Sequence, residues 1–172
     1  VTDQKTRLST ADASYVAFVE EAWRRHIRLA LLLAGDRWRA EELLQDSLVR
    51  MYERWRRLSR SDDLHAYLRR ALVNNHTSFW RRRRRESLVA EVPDRAAPST
   101  EPDHDAVALR RALRALPPRQ RAVVVLRHYE DLPEREVARV LGCTVGTVKS
   151  QHSKALGKLR HLLQQPSYTG TR

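Results

Sequence analysis

The chain has 172 residues, room for one or two small domains. Its 33 lysines and arginines outnumber 21 aspartates and glutamates, giving a formal net charge of +12 and a pI near 10.9. Such an excess points to a polyanionic partner, nucleic acid ahead of an anionic membrane. A single cysteine, Cys143, excludes an internal disulfide and a cysteine-rich zinc site, and fits a reducing cytoplasm.

No apolar run approaches the length of a membrane span, and the opening VTDQKTRLSTADAS lacks the pattern of a signal peptide, so no membrane insertion is expected. Few glycines and little β-branched alternation predict an all-α fold. Residues 1 to about 13 read as a polar, disordered start. A first helix runs from about Ser14 to Ala34, marked by Tyr15, Val19, Trp23, Ile27 and Leu31, and Gly35 ends it. Asp36 caps a second helix, which carries Leu43, Leu44, Leu48, Met51, Tyr52 and Trp55 and a charged outer face. After a turn rich in capping residues, a third helix spans about Leu64 to Arg84. It ends in five consecutive arginines, Arg81 to Arg85, just after the polar stretch Asn74-Asn75-His76-Thr77-Ser78. A cationic run at a helix C-terminus is favourable in itself. Its position after a polar and aromatic patch also suits a phosphate track beside a surface that handles bases. Tyr67, Phe79 and Trp80 are assigned to the core.

From Glu86 to Asp105 prolines and acidic residues dominate, the composition of a flexible acidic linker. A fourth helix covers about Ala106 to Ala115. Pro117-Pro118 separates it from a fifth, whose Val123, Val124, Val125, Leu126 and Tyr129 are expected to be buried.

Two helices joined by a tight turn follow. Pro133 suits the first turn of the shorter one, Val137, Ala138, Val140 and Leu141 form its apolar face, and Gly142 stops it. Thr144 caps the second, in which Val148, Ala155, Leu156, Leu159, Leu162 and Leu163 share one stripe. The other face carries Lys149, Ser150, Ser153, Lys154 and Lys158. Periodicity alone fits an ordinary helical hairpin with a solvated basic face. The start of the second helix favours a DNA-binding helix-turn-helix: Val145, Gly146 and Thr147 are small, so the helix N-terminus can approach a phosphate, and hydroxyl and cationic side chains follow at once. The tail from Pro166 is expected to fray.

In this order the pieces resemble an extracytoplasmic-function sigma factor of the sigma-70 family, of the actinobacterial SigE-like type. RAEELLQDSLVRMYERW resembles region 2.2, AYLRRALVNNHTSFWRRRRR regions 2.3 and 2.4, and the stretch from Leu116 to Arg160 region 4. The resemblance implies two small helical domains: a region 2 domain over 14–85 and a region 4 domain over 106–165, joined by a flexible linker over 86–105. It implies binding to core RNA polymerase through the β′ clamp helices and β flap, promoter recognition at the −10 and −35 elements, and help in opening the DNA. An anti-sigma factor is a further candidate partner, and no catalytic residue, metal or cofactor is implied.

By position, Gln45, Asp46, Leu48 and Tyr52 fall at the clamp contact. Ser61, Asp62, Asp63 and His65, in the loop from Ser59 to His65, fall with Asn74, Ser78, Arg81 and Arg82 near the −10 strand. Lys149, Ser150, Ser153 and Lys154 face the −35 groove, Gln151 lies near phosphate, and Val145, Gly146 and Thr147 stand at the helix N-terminus. His152 departs from the aliphatic residue usual there, which implies a looser turn. Lys154 puts a point charge where an arginine fork is common.

The residues also leave other classes open. A stand-alone regulator with a LuxR-like helix-turn-helix would share the second helix, but a response regulator would need alternating strands and a phospho-acceptor aspartate. A nucleic-acid enzyme would need a motif such as HExxH or a P-loop, and neither occurs. A helical RNA-binding protein is compatible with the arginine run.

Overall fold

The computed structural model describes residues 10–58, 63–86 and 104–164. Among them the chain forms α-helices and no strand. The helices are α1 (Thr10–Ala34), α2 (Arg37–Tyr52), α3 (Trp55–Leu58), α4 (Leu64–Glu86), α5 (His104–Arg114), α6 (Pro118–His128), α7 (Glu134–Leu141) and α8 (Val145–Gln164). Of the expected polar start, residues 10–13 are helical, since α1 begins at Thr10 rather than at about Ser14, while residues 1–9, most of the acidic linker and the frayed tail lie outside the described residues.

Local signals set most boundaries. Gly35 adopts a positive φ of 91°, which lets the chain turn out of α1. The backbone N–H of Arg39 donates to Asp36 Oδ1 at 2.9 Å, capping α2. The second predicted helix is in fact two. It bends after Tyr52, and the single turn α3 brings Trp55 under α1. There the indole N–H donates to Ser14 Oγ at 3.0 Å, and the ring meets Tyr15 edge-on, with centroids 5.1 Å apart. Asp63 Oδ1 accepts from the N–H of Ala66 at 2.7 Å and so starts α4.

Leu29, Leu33, Leu44, Met51, Leu68 and Leu72 are fully buried between α1, α2 and α4. Burying each such side chain contributes roughly 1.5–3 kcal/mol. A second cluster holds Leu113, Leu116, Val124, Ala155 and Leu159, where α5, α6 and α8 meet. The larger cluster does not stop at the first unit. Val123, Leu126, Val137 and Ala138 belong to it, so α6 and α7 pack directly on α1 and α4.

Three expectations about packing are corrected. Tyr129 and Leu163 are exposed, because α6 ends at His128 and, in the last turn of α8, it is Leu162 and not Leu163 that packs on the second cluster. Phe79 is 45% exposed, while its neighbour Trp80, which faces Arg121 of α6, and Tyr67 are half-buried. No helix among the described residues is long and apolar enough to cross a membrane.

Candidate nucleic-acid interface

The helix-turn-helix is built as its sequence signals require. Pro133 occupies the cap position of α7, one residue earlier than expected, with an extended ψ of 153°. Gly142 takes the left-handed conformation, φ 61°, ψ 43°. The Cys143 N–H then returns to the Ala138 carbonyl at 3.0 Å and the Gly142 N–H to that of Arg139 at 3.4 Å, a Schellman closure. Thr144 Oγ1 accepts from the Thr147 N–H at 3.1 Å and starts α8.

One face of α8 is inward, with Val148, Ala155 and Leu159 buried. On the opposite face Gly146, Thr147, Lys149, Ser150, Ser153 and Lys154 are all exposed, and Val145 and Gln151 are half-buried at its margin. Lys149 Nζ lies 3.8 Å from Glu134 Oε2, a loose and largely solvated pair that holds the lysine weakly. His152 is not a loose spot. Its Nε2 lies 2.8 Å from Nε2 of His128 on α6, with the rings stacked. Burial, then His128 and Arg127, hold the His152 pKa below its ordinary value.

The second surface lies on α4. Asn74 and Arg81 are exposed, and Ser78 is half-buried, one turn from Asn74. Asn75 is used differently. Its Oδ1 accepts from Arg50 Nη1 at 2.8 Å and its Nδ2 donates to Ser47 Oγ at 2.9 Å, which ties α4 to α2 and turns Asn74 outward. Asp63 caps α4, and the His65 ring sits in a relay: His26 Nε2 lies 3.1 Å from His65 Nδ1, and His65 Nε2 lies 3.2 Å from Glu21 Oε1. If His65 Nε2–H donates to Glu21, His26 Nε2–H donates to His65 and Nδ1 of His26 is left without a partner. Burial, then His65 and two nearby arginines, lower the His26 pKa to about 4. Ser61, Asp62 and the Arg82 side chain lie outside what the structure describes.

The third surface lies on α2. Gln45, Asp46 and Tyr52 are exposed, and the Tyr52 hydroxyl donates to Asp12 Oδ1 at 2.8 Å. Leu48 is only 4% exposed and belongs to the core, with its carbonyl accepting from the Tyr15 hydroxyl at 2.7 Å. Its neighbour Val49, 56% exposed, takes the outward place, and Trp38 is exposed farther along the helix. The spacing itself carries this signal: 44, 48 and 51 form the inner stripe, while 45, 49 and 52 form the outer one. The α4 and α8 surfaces lie on different units and share no site.

The chain matches the family description "Sigma-70 region 2" over residues 18–86 and "Sigma-70, region 4" over residues 106–159. It is 42% identical over 140 residues to the RNA polymerase sigma-E factor of Streptomyces avermitilis, covering 80% of this chain and 78% of that protein. It is 32% identical over 138 residues to the ECF RNA polymerase sigma factor EcfG of Rhodopseudomonas palustris, covering 78% and 76%. Its fold is similar to that of the Bartonella quintana sigma factor RpoE, solved in complex with the anti-sigma factor NepR: TM-score 0.70, 25% identity, covering 88% of this chain and 97% of that one.

Proposed function

The chain belongs to the sigma-70 family as an extracytoplasmic-function sigma factor, which directs core RNA polymerase to promoters, and on that premise we propose how its surfaces divide the work. Residues 14–85 form the unit that docks on the β′ clamp helices and reads the −10 element. Residues 106–165 form the unit that engages the β flap and reads the −35 element. The chain acts as a non-catalytic specificity subunit in the cytoplasm, and an anti-sigma factor is a further partner.

The observation that carries this reading is the exposed face of α8, where Lys149, Ser150, Ser153 and Lys154 stand together on a helix buried on its other side. Side chains there reach base edges, while Val145, Gly146, Thr147 and Gln151 approach phosphate. On α4, Asn74 and Ser78 meet the −10 strand, with Asp63, His65 and the preceding loop shaping the pocket. Phe79, exposed beside Arg81, offers a ring on which an unpaired base can stack, which favours the opened strand over the duplex. On α2 the polymerase contact comprises Gln45, Asp46, Val49 and Tyr52, with Leu48 supporting it from beneath.

Run-off transcription tests the reading. Core polymerase with this protein should yield a discrete transcript from a template carrying both elements, and yield should fall steeply with salt, because counterions released into a saltier solution gain less entropy. Sequence-specific operator binding without polymerase, and no transcript with it, would favour the LuxR-like regulator instead.

A further inference from the structure

Two kinds of contact hold α8. Val148, Ala155 and Leu159 seat it on an apolar bed. Burial of that kind is non-directional: it fixes how close the helix comes to its neighbours and only loosely its rotation about its own axis. The second contact has a direction. His152 leaves α8 on the inner side, one turn from Val148, and its Nε2 lies 2.8 Å from Nε2 of His128 on α6. At that distance one nitrogen donates and the other accepts, which requires complementary tautomers. Burial first, then His128 and Arg127 of α6, hold the His152 pKa below its ordinary value, against a smaller opposing pull from Glu134 of α7. The ring is therefore neutral near pH 7 and can take either role.

Rotation of α8 matters most on its far side. Successive residues turn by about 100°, so Ser150 and Lys154, both exposed, project from the side opposite His152. Side chains on a helix reach a radius of about 5–6 Å, so a rotation of about 10° displaces them by about 1 Å. That is enough to carry a base-edge hydrogen bond out of its range of about 2.7–3.2 Å. Sites working to this tolerance are held in place by supporting hydrogen bonds behind the groups that touch the ligand. His128 belongs to α6 and to none of the surfaces assigned to DNA.

We propose that His128 is a positioning residue for −35 reading: through its bond to His152 it fixes the rotation at which α8 presents Ser150 and Lys154 to base edges. The inference rests on the −35 reading given above for α8.

The experiment is run-off transcription by core polymerase with the full chain, on templates randomised at the −35 or the −10 element alone. The urea midpoint of each free variant is measured alongside. His128→Ala should flatten −35 preference by about fivefold, toward the low end of what one good base contact supplies, with −10 preference and helicity unchanged. His128→Gln, whose amide can donate or accept in the same place, should keep −35 preference. The double variant His128→Leu with His152→Leu should bring the urea midpoint back toward wild type yet leave −35 preference flattened, because an apolar pair restores burial without direction.

A −35 preference that follows the urea midpoint through these variants, and recovers in the double-leucine chain, would overturn the inference, since His128 would then act through stability alone. Unchanged preference in His128→Ala, or a loss in His128→Gln as large as in His128→Ala, would also overturn it. Lys154→Ala separates that failure from failure of the −35 reading. If Lys154→Ala flattens −35 preference and His128→Ala does not, only the positioning role falls. If neither does, α8 is not the reading helix and both fall.

Discussion

Nε2 of His128, at the end of α6, and Nε2 of His152, in the middle of α8, lie 2.8 Å apart with ring centroids at 5.0 Å. At that distance one nitrogen donates and the other accepts, so the two rings hold complementary tautomers or share one added proton. The pair replaces aliphatic packing with a polar clasp that fixes the rotation of the recognition helix over α6. His128→Ala should therefore lower stability by about 0.5–1.5 kcal/mol, the net worth of such a bond. The urea midpoint reports it, and an unchanged midpoint would show that the clasp holds nothing. Adding His152→Leu should recover part of the loss by restoring an apolar contact.

The buried histidines give the fold a defined acid response. His76 is lowered to about 3, by burial first and then by Arg121, and His26 to about 4, by burial first and then by His65. Both are neutral in the folded chain at neutral pH. Below the ordinary value of about 6.5 the unfolded chain takes up protons that the fold refuses, so the unfolded state is favoured. Stability is thus full above about pH 6.5 and falls as pH drops toward 4, with a slope of about 1.4 kcal/mol per pH unit for each histidine. Urea titrations from pH 7 to 5 measure that slope. His76→Gln should make it shallower by about one proton's worth.

On the proposed reading, polymerase binding depends on the outer stripe of α2. Asp46 is exposed, so Asp46→Lys should weaken capture of core polymerase while the helicity of the free chain is unchanged. Val49→Glu should do the same by placing a charge on the contact. Leu48→Ala behaves differently: it removes a buried side chain and should cost about 2–5 kcal/mol of stability. Undiminished capture by both Asp46→Lys and Val49→Glu would move the contact elsewhere.

What was legible in the sequence was local. Asp36, Gly142 and Thr144 each act within a few residues of their own position, and each caps or closes the helix end that its chemistry suggests. Leu48 was legible too, but only by setting its stripe of 44, 48 and 51 against 45, 49 and 52. Phe79 could not be placed from its own helix, because its exposure depends on which side of α4 the other helices cover. The packing of α6 and α7 on α1 and α4 is the least legible feature. Arg121 bonds to the Leu33 carbonyl 88 positions away, and nothing in the basic run PRQR separates a buried guanidinium from a solvated one. A sequence reading in two units was natural because the proline-rich segment and the helical periodicity are local signals, whereas the shared cluster of Leu68, Leu72, Val123 and Val137 is not.

Promoter reading should divide between the two units. Lys154 and Ser150 lie one turn apart on the exposed face of α8, and Asn74 and Ser78 one turn apart on α4. No described hydrogen bond or ion pair joins the two surfaces, so a substitution on one has no direct route to the other. Losing a good base contact costs about 1–3 kcal/mol and relaxes preference at that position. Lys154→Ala should weaken and broaden −35 selection with −10 preference intact. Asn74→Ala should alter −10 selection and strand opening with −35 preference intact. Phe79→Ala should leave selection at both elements in place but slow opening, because a stacking surface for unpaired bases is lost. Run-off transcription on libraries with each element randomised separately measures selection, and permanganate reactivity of thymines measures opening. If Lys154→Ala and Asn74→Ala blurred the same element, one unit would be doing all the reading, and the two-site assignment would fail.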